Sequence, residues 1–178
     1  MPPQANLGNA DSPHSPSFDA VYRAHASFVW RVGRALGVSH LHIDDVVHDV
    51  FLVVMRRLSD YDAGQSIRAW LAGITRRVVA HLRRKQGRED RRLRALPAPV
   101  PPRGPERSME LQDGERLLEQ FLSALDEDKR TAFVLMDLEG LTAREVAEAC
   151  GSNQRTIYSR VRVARARFEA FAAENRRS

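Results

Sequence analysis

Near the C-terminus, Thr142-Ala143-Arg144-Glu145 reads as a capping box, Gly151 as a left-handed stop, and Ser152 or Asn153 as a second cap. These signals force two helices around a tight turn and constrain this region more than any other stretch of the chain. Val146, Ala147 and Cys150 give the first helix one apolar face, and small Ala147 is expected to admit a neighbouring helix closely. The second helix carries Ile157, Val161, Ala164, Phe168 and Phe171 at spacings of four and three, which is one buried stripe. Opposite that stripe lie Gln154, Arg155, Tyr158, Ser159 and Arg162. An amide, hydroxyls and guanidinium groups on the first turns of an outward second helix suit base edges in the DNA major groove. At this point an ordinary helical hairpin with a charged solvent face remains the alternative.

Charge weighs against that alternative. Twenty-eight Lys+Arg against 23 Asp+Glu leave a net charge of +5, a balance that favours a polyanionic partner over an acidic substrate or a neutral surface. The basic residues are mostly arginine, which makes bidentate contacts to phosphate and guanine. An apolar share of 43% supports folded cores, but an aromatic share of 7% argues against one large core in 178 residues. The single cysteine, Cys150, excludes an internal disulfide and a cysteine-rich zinc site, and reads as a small core hydrophobe. No apolar run has the length of a membrane span, so no membrane insertion is expected. Residues 1–17 hold Pro2, Pro3, Pro13 and Pro16 without a basic start or hydrophobic centre. They are expected to be a disordered leader rather than a signal peptide, which places the protein in the cytoplasm.

Upstream, the periodicity is helical throughout, and the expected fold class is all-α. Ser17 caps a helix with Val21, Tyr22, His25, Phe28, Val29, Val32 and Leu36 on one side and Gly37 at its end. Asp44 and Asp45 open a second helix, whose apolar side is Val46, Val47, Val50, Phe51, Val54 and Leu58. Ser66 caps a third, running through Ile67, Trp70, Leu71, Ile74, Val78 and Leu82; Trp30 and Trp70 are expected to belong to the core. Between Gly87 and Pro105 the pattern fails, and Pro97, Pro99, Pro101, Pro102 and Pro105 favour an extended linker. Helices resume with Leu111, Leu118, Phe121, Leu122 and Leu125, then with Ala132, Phe133, Leu135, Met136 and Leu138 up to Gly140. The chain divides into a leader (1–17), a three-helix block (18–90), a Pro-rich linker (91–105) and a helix-turn-helix block (106–178).

A second basic surface lies on the third helix. Arg76, Arg77, Arg83, Arg84, Lys85 and Arg88 crowd its C-terminal half, with Tyr61, Trp70 and His81 nearby in sequence. Basic charge interleaved with aromatics suits melted nucleic acid, although a solvated basic face would look the same. His40, His42, Asp44, Asp45, His48 and Asp49 include metal-ligand types, but helix N-termini collect carboxylates and no catalytic spacing such as H-E-x-x-H is present. No phosphate loop, nucleophile elbow or paired-acid motif appears. Neither a metal, a cofactor nor an enzymatic activity is expected.

Three segments carry a family resemblance: Asp45-Val46-Val47-His48-Asp49-Val50-Phe51, Ile67-Arg68-Ala69-Trp70-Leu71-Ala72-Gly73-Ile74, and His81-Leu82-Arg83-Arg84. They resemble region two of the extracytoplasmic-function (ECF) sigma factors, bacterial RNA polymerase subunits in which a D-[LV]-V-Q-[ED]-x-F run precedes an F-R-x-W-L helix. Leu138-Glu139-Gly140-Leu141-Thr142, Glu145-Val146-Ala147-Glu148 and Thr156-Ile157-Tyr158-Ser159-Arg160-Val161 resemble region four of the same family. The similarity runs from about Phe18 to Phe171 and breaks only at the linker.

The resemblance implies a transcription initiation factor that binds core RNA polymerase, directs it to promoters and promotes DNA opening. Asp45, His48, Asp49, Leu52 and Arg56 would meet the β′ clamp helices. Tyr61 and the outward residues Arg68, Arg76, Arg77, His81 and Arg84 would melt and read the minus-ten element. The linker would enter the active cleft. Region four would dock on the β flap and place Gln154, Arg155, Tyr158, Ser159 and Arg162 in the minus-thirty-five major groove. An anti-sigma factor is an expected partner. Arg77 stands where members often have Asn, Arg155 replaces a common Gly, Tyr158 a common basic residue and His48 the usual Gln, and the linker lacks the acidic character often seen. Promoter sequence therefore does not transfer from relatives. The alternatives are a free-standing helix-turn-helix regulator and a sigma mimic that only sequesters an anti-sigma factor. The separate basic, aromatic surface on the first block counts against the former, and intact polar residues on both DNA faces against the latter.

Overall fold

The structure, a computed structural model, describes residues 16–93 and 109–176. Among these residues every regular element is helical: α1 (Phe18–Ala35), α2 (Ile43–Arg57), α3 (Ile67–Leu93), α4 (Met109–Ala124), α5 (Glu127–Phe133), α6 (Ala143–Cys150) and α7 (Gln154–Asn175). A 3-10 turn, Leu58–Asp60, follows α2, and a π-helical turn, Val134–Leu138, follows α5. The Pro-rich linker (all but its first residues) and most of the leader lie outside the described residues.

The capping signals are where the sequence places them. Ser17 Oγ accepts from Ala20 N at 3.3 Å and Ser66 Oγ from Ala69 N at 3.4 Å. Thr142 Oγ1 accepts from Glu145 N at 3.3 Å while Glu145 Oε2 accepts from Thr142 N at 2.7 Å, so both halves of the capping box are made. Gly151 ends α6 at φ +61°, and Asn153, not Ser152, caps α7 by accepting from Thr156 N at 2.8 Å.

Two boundaries differ from expectation. Helix α3 does not stop at Gly87 but continues to Leu93. One interior glycine costs a helix only about 1 kcal/mol, and the arginines and Glu89 after it are good helix formers. Helix α5 ends at Phe133, and the residues to Leu138 wind as a π-turn in which Glu139 N donates to Val134 O at 3.0 Å. Gly140 then turns the chain at φ +69° into α6.

Packing begins with α1, α2 and α3, whose Val29, Val32, Val50, Val54 and Leu71 are fully buried. This core does not end at the border between the blocks, because Leu135, Leu141, Val146, Ile157 and Val161 of the second block belong to the same cluster. Contact is closest where α3 meets α6: a Cβ on Gly73 would lie 3.2 Å from the Ala149 carbonyl oxygen. Gly73 is the small residue on α3 that admits the Ala149 backbone, and Ala147 is buried in the same cluster. A smaller cluster of Phe121, Leu122, Leu125, Phe133, Val134 and Ala164 joins α4, α5 and α7. Phe168 lies at its margin, 40% exposed where α7 passes its edge, with its ring 5.1 Å from Phe121. Trp30 and Trp70 are half-buried and packed against the main core rather than inside it.

Because both blocks share one apolar cluster, a cavity on α7 should weaken the whole fold. Ile157 is fully buried, and Ile157→Ala should cost about 2–5 kcal/mol. Urea denaturation followed by circular dichroism should show one earlier transition, whereas loss of signal from one block alone would contradict the shared core.

Candidate nucleic-acid interface

Helix α7 presents the expected stripe. Gln154, Arg155, Tyr158, Ser159 and Arg162 are all exposed, Tyr158 by 59%. Its orientation is fixed from behind, since Ile157, Val161 and Ala164 are buried and two flanking arginines are tied to the preceding helices. Arg160 Nη2 donates to Asp128 at 2.5 Å. Arg165 grips Asp137 with Nε at 3.0 and 3.2 Å and with Nη2 at 2.5 Å, and this bonding raises its guanidinium pKa. Neither aspartate is singled out by the sequence, because an ion pair across 28 or 32 residues leaves no local pattern.

The α3 surface is only partly open. Arg77, His81 and Arg84 are exposed as expected. Tyr61 is half-buried; its hydroxyl donates to Gln65 O at 2.7 Å and its ring lies 5.2 Å from Trp70. Burial, helped by Asp62, raises the phenol pKa.

Arg68 and Arg76 do not point outward. The side of α3 that carries Ala69 and Gly73 is covered by α6, and both arginines are half-buried beside that seam. Arg68 lies over the Phe28 ring at 4.6 Å and donates to Glu139 O at 2.7 Å and Glu139 Oε2 at 3.2 Å. Arg31 of α1 donates to the same carboxylate at 2.9 and 2.8 Å, leaving the Glu139 side chain 7% exposed. Arg76 has a buried Nε without a hydrogen-bond partner and acts on Cys150, whose thiol pKa is nevertheless raised because burial outweighs the cation.

On α2, Asp45, His48, Asp49 and Arg56 are exposed and Leu52 is half-buried. Asp45, Asp49, Leu52 and Arg56 line a groove of about 450 Å³ opposite Arg77, His81 and Lys85 of α3. Residues expected to meet polymerase and residues expected to meet DNA thus share one cleft, with Asp45, Asp49 and Arg56 on one wall and a basic wall opposite. His48 and Leu52 line a second groove of about 510 Å³ against Phe18 and Tyr22 of α1. Tyr22 and Met55 stand 44% and 56% exposed at that groove. Tyr22 was expected on the buried stripe, but its ring rests on Phe51 at 4.7 Å while one face stays open. Among the described residues no three His, Cys, Asp or Glu side chains converge on a point where a metal could sit, and no helix is long and apolar enough to cross a membrane.

Comparison with known proteins covers both blocks. Residues 21–89 match the Sigma-70 region 2 family and residues 115–168 the Sigma-70, region 4 family. The ECF RNA polymerase sigma factor SigC of Mycobacterium tuberculosis (strain CDC 1551 / Oshkosh) is 32% identical over 163 residues, which span 84% of this chain and 80% of SigC. The chain belongs to the ECF family of RNA polymerase sigma factors. The RNA polymerase sigma factor NccH of Alcaligenes xylosoxydans xylosoxydans is 29% identical over 161 residues, 86% of each chain. Among solved structures, the sigma factor RpoE of Bartonella quintana, crystallised with the anti-sigma factor NepR, matches with a TM-score of 0.74 and 25% identity. That likeness covers 88% of this chain and 96% of RpoE, so it extends over both sigma regions.

One carboxylate joins the start of α3 to the start of α6. Glu145 accepts from the Ser66 side chain and from the Thr142 backbone, and these bonds, with Thr142 Oγ1 and Arg68, hold its pKa below the ordinary 4.5 against the opposing effect of burial. A depressed carboxylate pKa adds stability that is present above the unfolded value and is lost as pH falls through the folded one. Glu145→Gln should therefore melt below the parent at neutral pH, and the gap should close as pH drops below 4.5. Thermal melts of both proteins across the acid range test this; a gap that persists at low pH would count against the ionised link.

Proposed function

We propose that this sigma factor binds core RNA polymerase, directs it to specific promoters and promotes opening of the duplex. The observation that carries this reading is two outward basic surfaces on one chain: the capped α7 stripe and the Arg77, His81 and Arg84 side of α3. A regulator that only docks on duplex DNA needs the first and not the second. Residues 18–90 take the minus-ten element and the β′ clamp helices, with Asp45, His48, Asp49, Leu52 and Arg56 on the polymerase side. Residues 106–178 take the minus-thirty-five element and the β flap. In α7, Arg155 or Arg162 pairs with guanine, Gln154 pairs with adenine, and Tyr158 approaches a thymine methyl or a phosphate. The chemistry of RNA synthesis belongs to the polymerase, and the protein acts in the cytoplasm, where polymerase and promoter are. An anti-sigma factor is a further partner, a reading supported by the RpoE–NepR complex.

Run-off transcription with core polymerase over a promoter library, on duplex and on pre-melted templates, tests the reading and the division of labour. Arg155→Ala should relax one or two minus-thirty-five positions, at about 1–3 kcal/mol of lost discrimination, and leave pre-melted templates nearly unaffected. Arg77→Ala should impair opening with little change in minus-thirty-five preference. The chain alone should bind DNA weakly and lose that binding steeply with salt. Tight sequence-specific binding without polymerase would favour the free-standing regulator, and variants that shift the same base positions would refute two separate readers.

A further inference from the structure

The described ion pairs between the two blocks all run in one direction. Arg31 and Arg34 of α1 and Arg68 and Arg83 of α3 supply the cations, while Glu139 after the π-turn, Glu119 of α4 and Glu127 of α5 supply the anions. Region four thus offers three carboxylates to arginines of region two, although Arg130 of α5 also reaches across, donating to Leu36 O at 3.3 Å beside Arg83. Of the three, the Glu139 carboxylate takes the bidentate fork of Arg31 and one bond from Arg68, and its carbonyl takes a second bond from Arg68. Two oxygens gripped by a guanidinium fork is the geometry by which arginine also holds a phosphate. The Arg68 guanidinium is engaged between Glu139 and the Phe28 ring, and α6 covers the adjacent face of α3 at Gly73.

We infer that the Glu139 edge of region four is an internal phosphate mimic, a latch that docks region four on region two and withholds Arg68 until a polyanion displaces it. The inference rests on the proposed function only in taking nucleic acid as the natural competitor. The latch is suited to release. The Arg31 and Arg68 side chains are 53% and 38% exposed, so salt can screen the contact and phosphates can enter from solvent. Glu139 itself is nearly enclosed, so its charge is committed to the two arginines while the blocks are docked.

Cys150, the single cysteine, provides a native probe, because it is half-buried on α6 in the seam with α3. Its alkylation rate in the full-length protein reports undocking. In low salt Glu139→Gln should label about tenfold faster than the parent, since the amide keeps the shape but loses the charge behind three charge-assisted bonds from Arg31 and Arg68. Arg31→Ala, which removes an exposed partner, should accelerate labelling in the same direction. Heparin, used as the polyanion, should accelerate the parent and have little further effect on Glu139→Gln, and small-angle scattering should show a larger radius of gyration for the variant. Unchanged labelling and unchanged radius in both variants would overturn the latch. So would acceleration confined to Glu139→Gln and accompanied by loss of helical circular dichroism, which is unfolding. These readouts contain no polymerase, so failure of the parent in run-off transcription would sink the proposed function and leave the latch to be judged separately.

Discussion

Region four lies on region two because α3 and α6 meet almost backbone to backbone where Gly73 faces Ala149. Any side chain at the first position would press on the Ala149 carbonyl. With the two helices this close, Val146 and Ile157 reach the cluster that α1, α2 and α3 build around Val29, Val50 and Leu71. The same approach brings the N-termini of α3 and α6 together, so that Glu145 can serve Ser66 and Thr142 at once. Apolar burial supplies the non-directional part of the docking, and the carboxylate bonds fix its register.

The seam explains why the two nucleic-acid surfaces differ in readiness. Helix α7 is anchored from behind by buried Ile157 and Val161 and from the flanks by Asp128 and Asp137, so its outer stripe is preformed. Helix α3 has apolar neighbours on one side and α6 on another, and only Arg77, His81 and Arg84 remain open among the residues assigned to melted DNA. The α7 stripe is open along its length, while of the proposed α3 residues Arg77, His81 and Arg84 are open and Arg68 and Arg76 are half-buried.

What was legible in the sequence is what depends on near neighbours. Thr142 with Glu145, Gly151, Asn153 and the outward stripe of α7 all follow from intervals of three and four residues, and each is found in place. What was not legible depends on distant partners. Arg68 is held by Phe28 of its own block and by Glu139 of the other, and Arg76 lies near Cys150 of α6, partners that no local interval announces. Arg31 meets Glu139 across 108 residues, a pairing without local trace in composition or spacing. Phe168 obeys the apolar period and meets Phe121 and Phe133, but it sits on the rim of that small cluster, so period alone overstated its burial.

The π-turn at Val134–Leu138 has a consequence for heading rather than for stability. Bonding five residues back, as Glu139 N does to Val134 O, inserts one residue relative to α-helical winding, and each residue turns the chain by about 100°. An unbroken α-helix through this segment would aim residue 139 at a different quadrant and redirect the entry of α6 with it. One inserted position thus acts as an azimuth setting, by which a change in chain length of a single residue could re-aim a whole helix-turn-helix without altering any side chain on it.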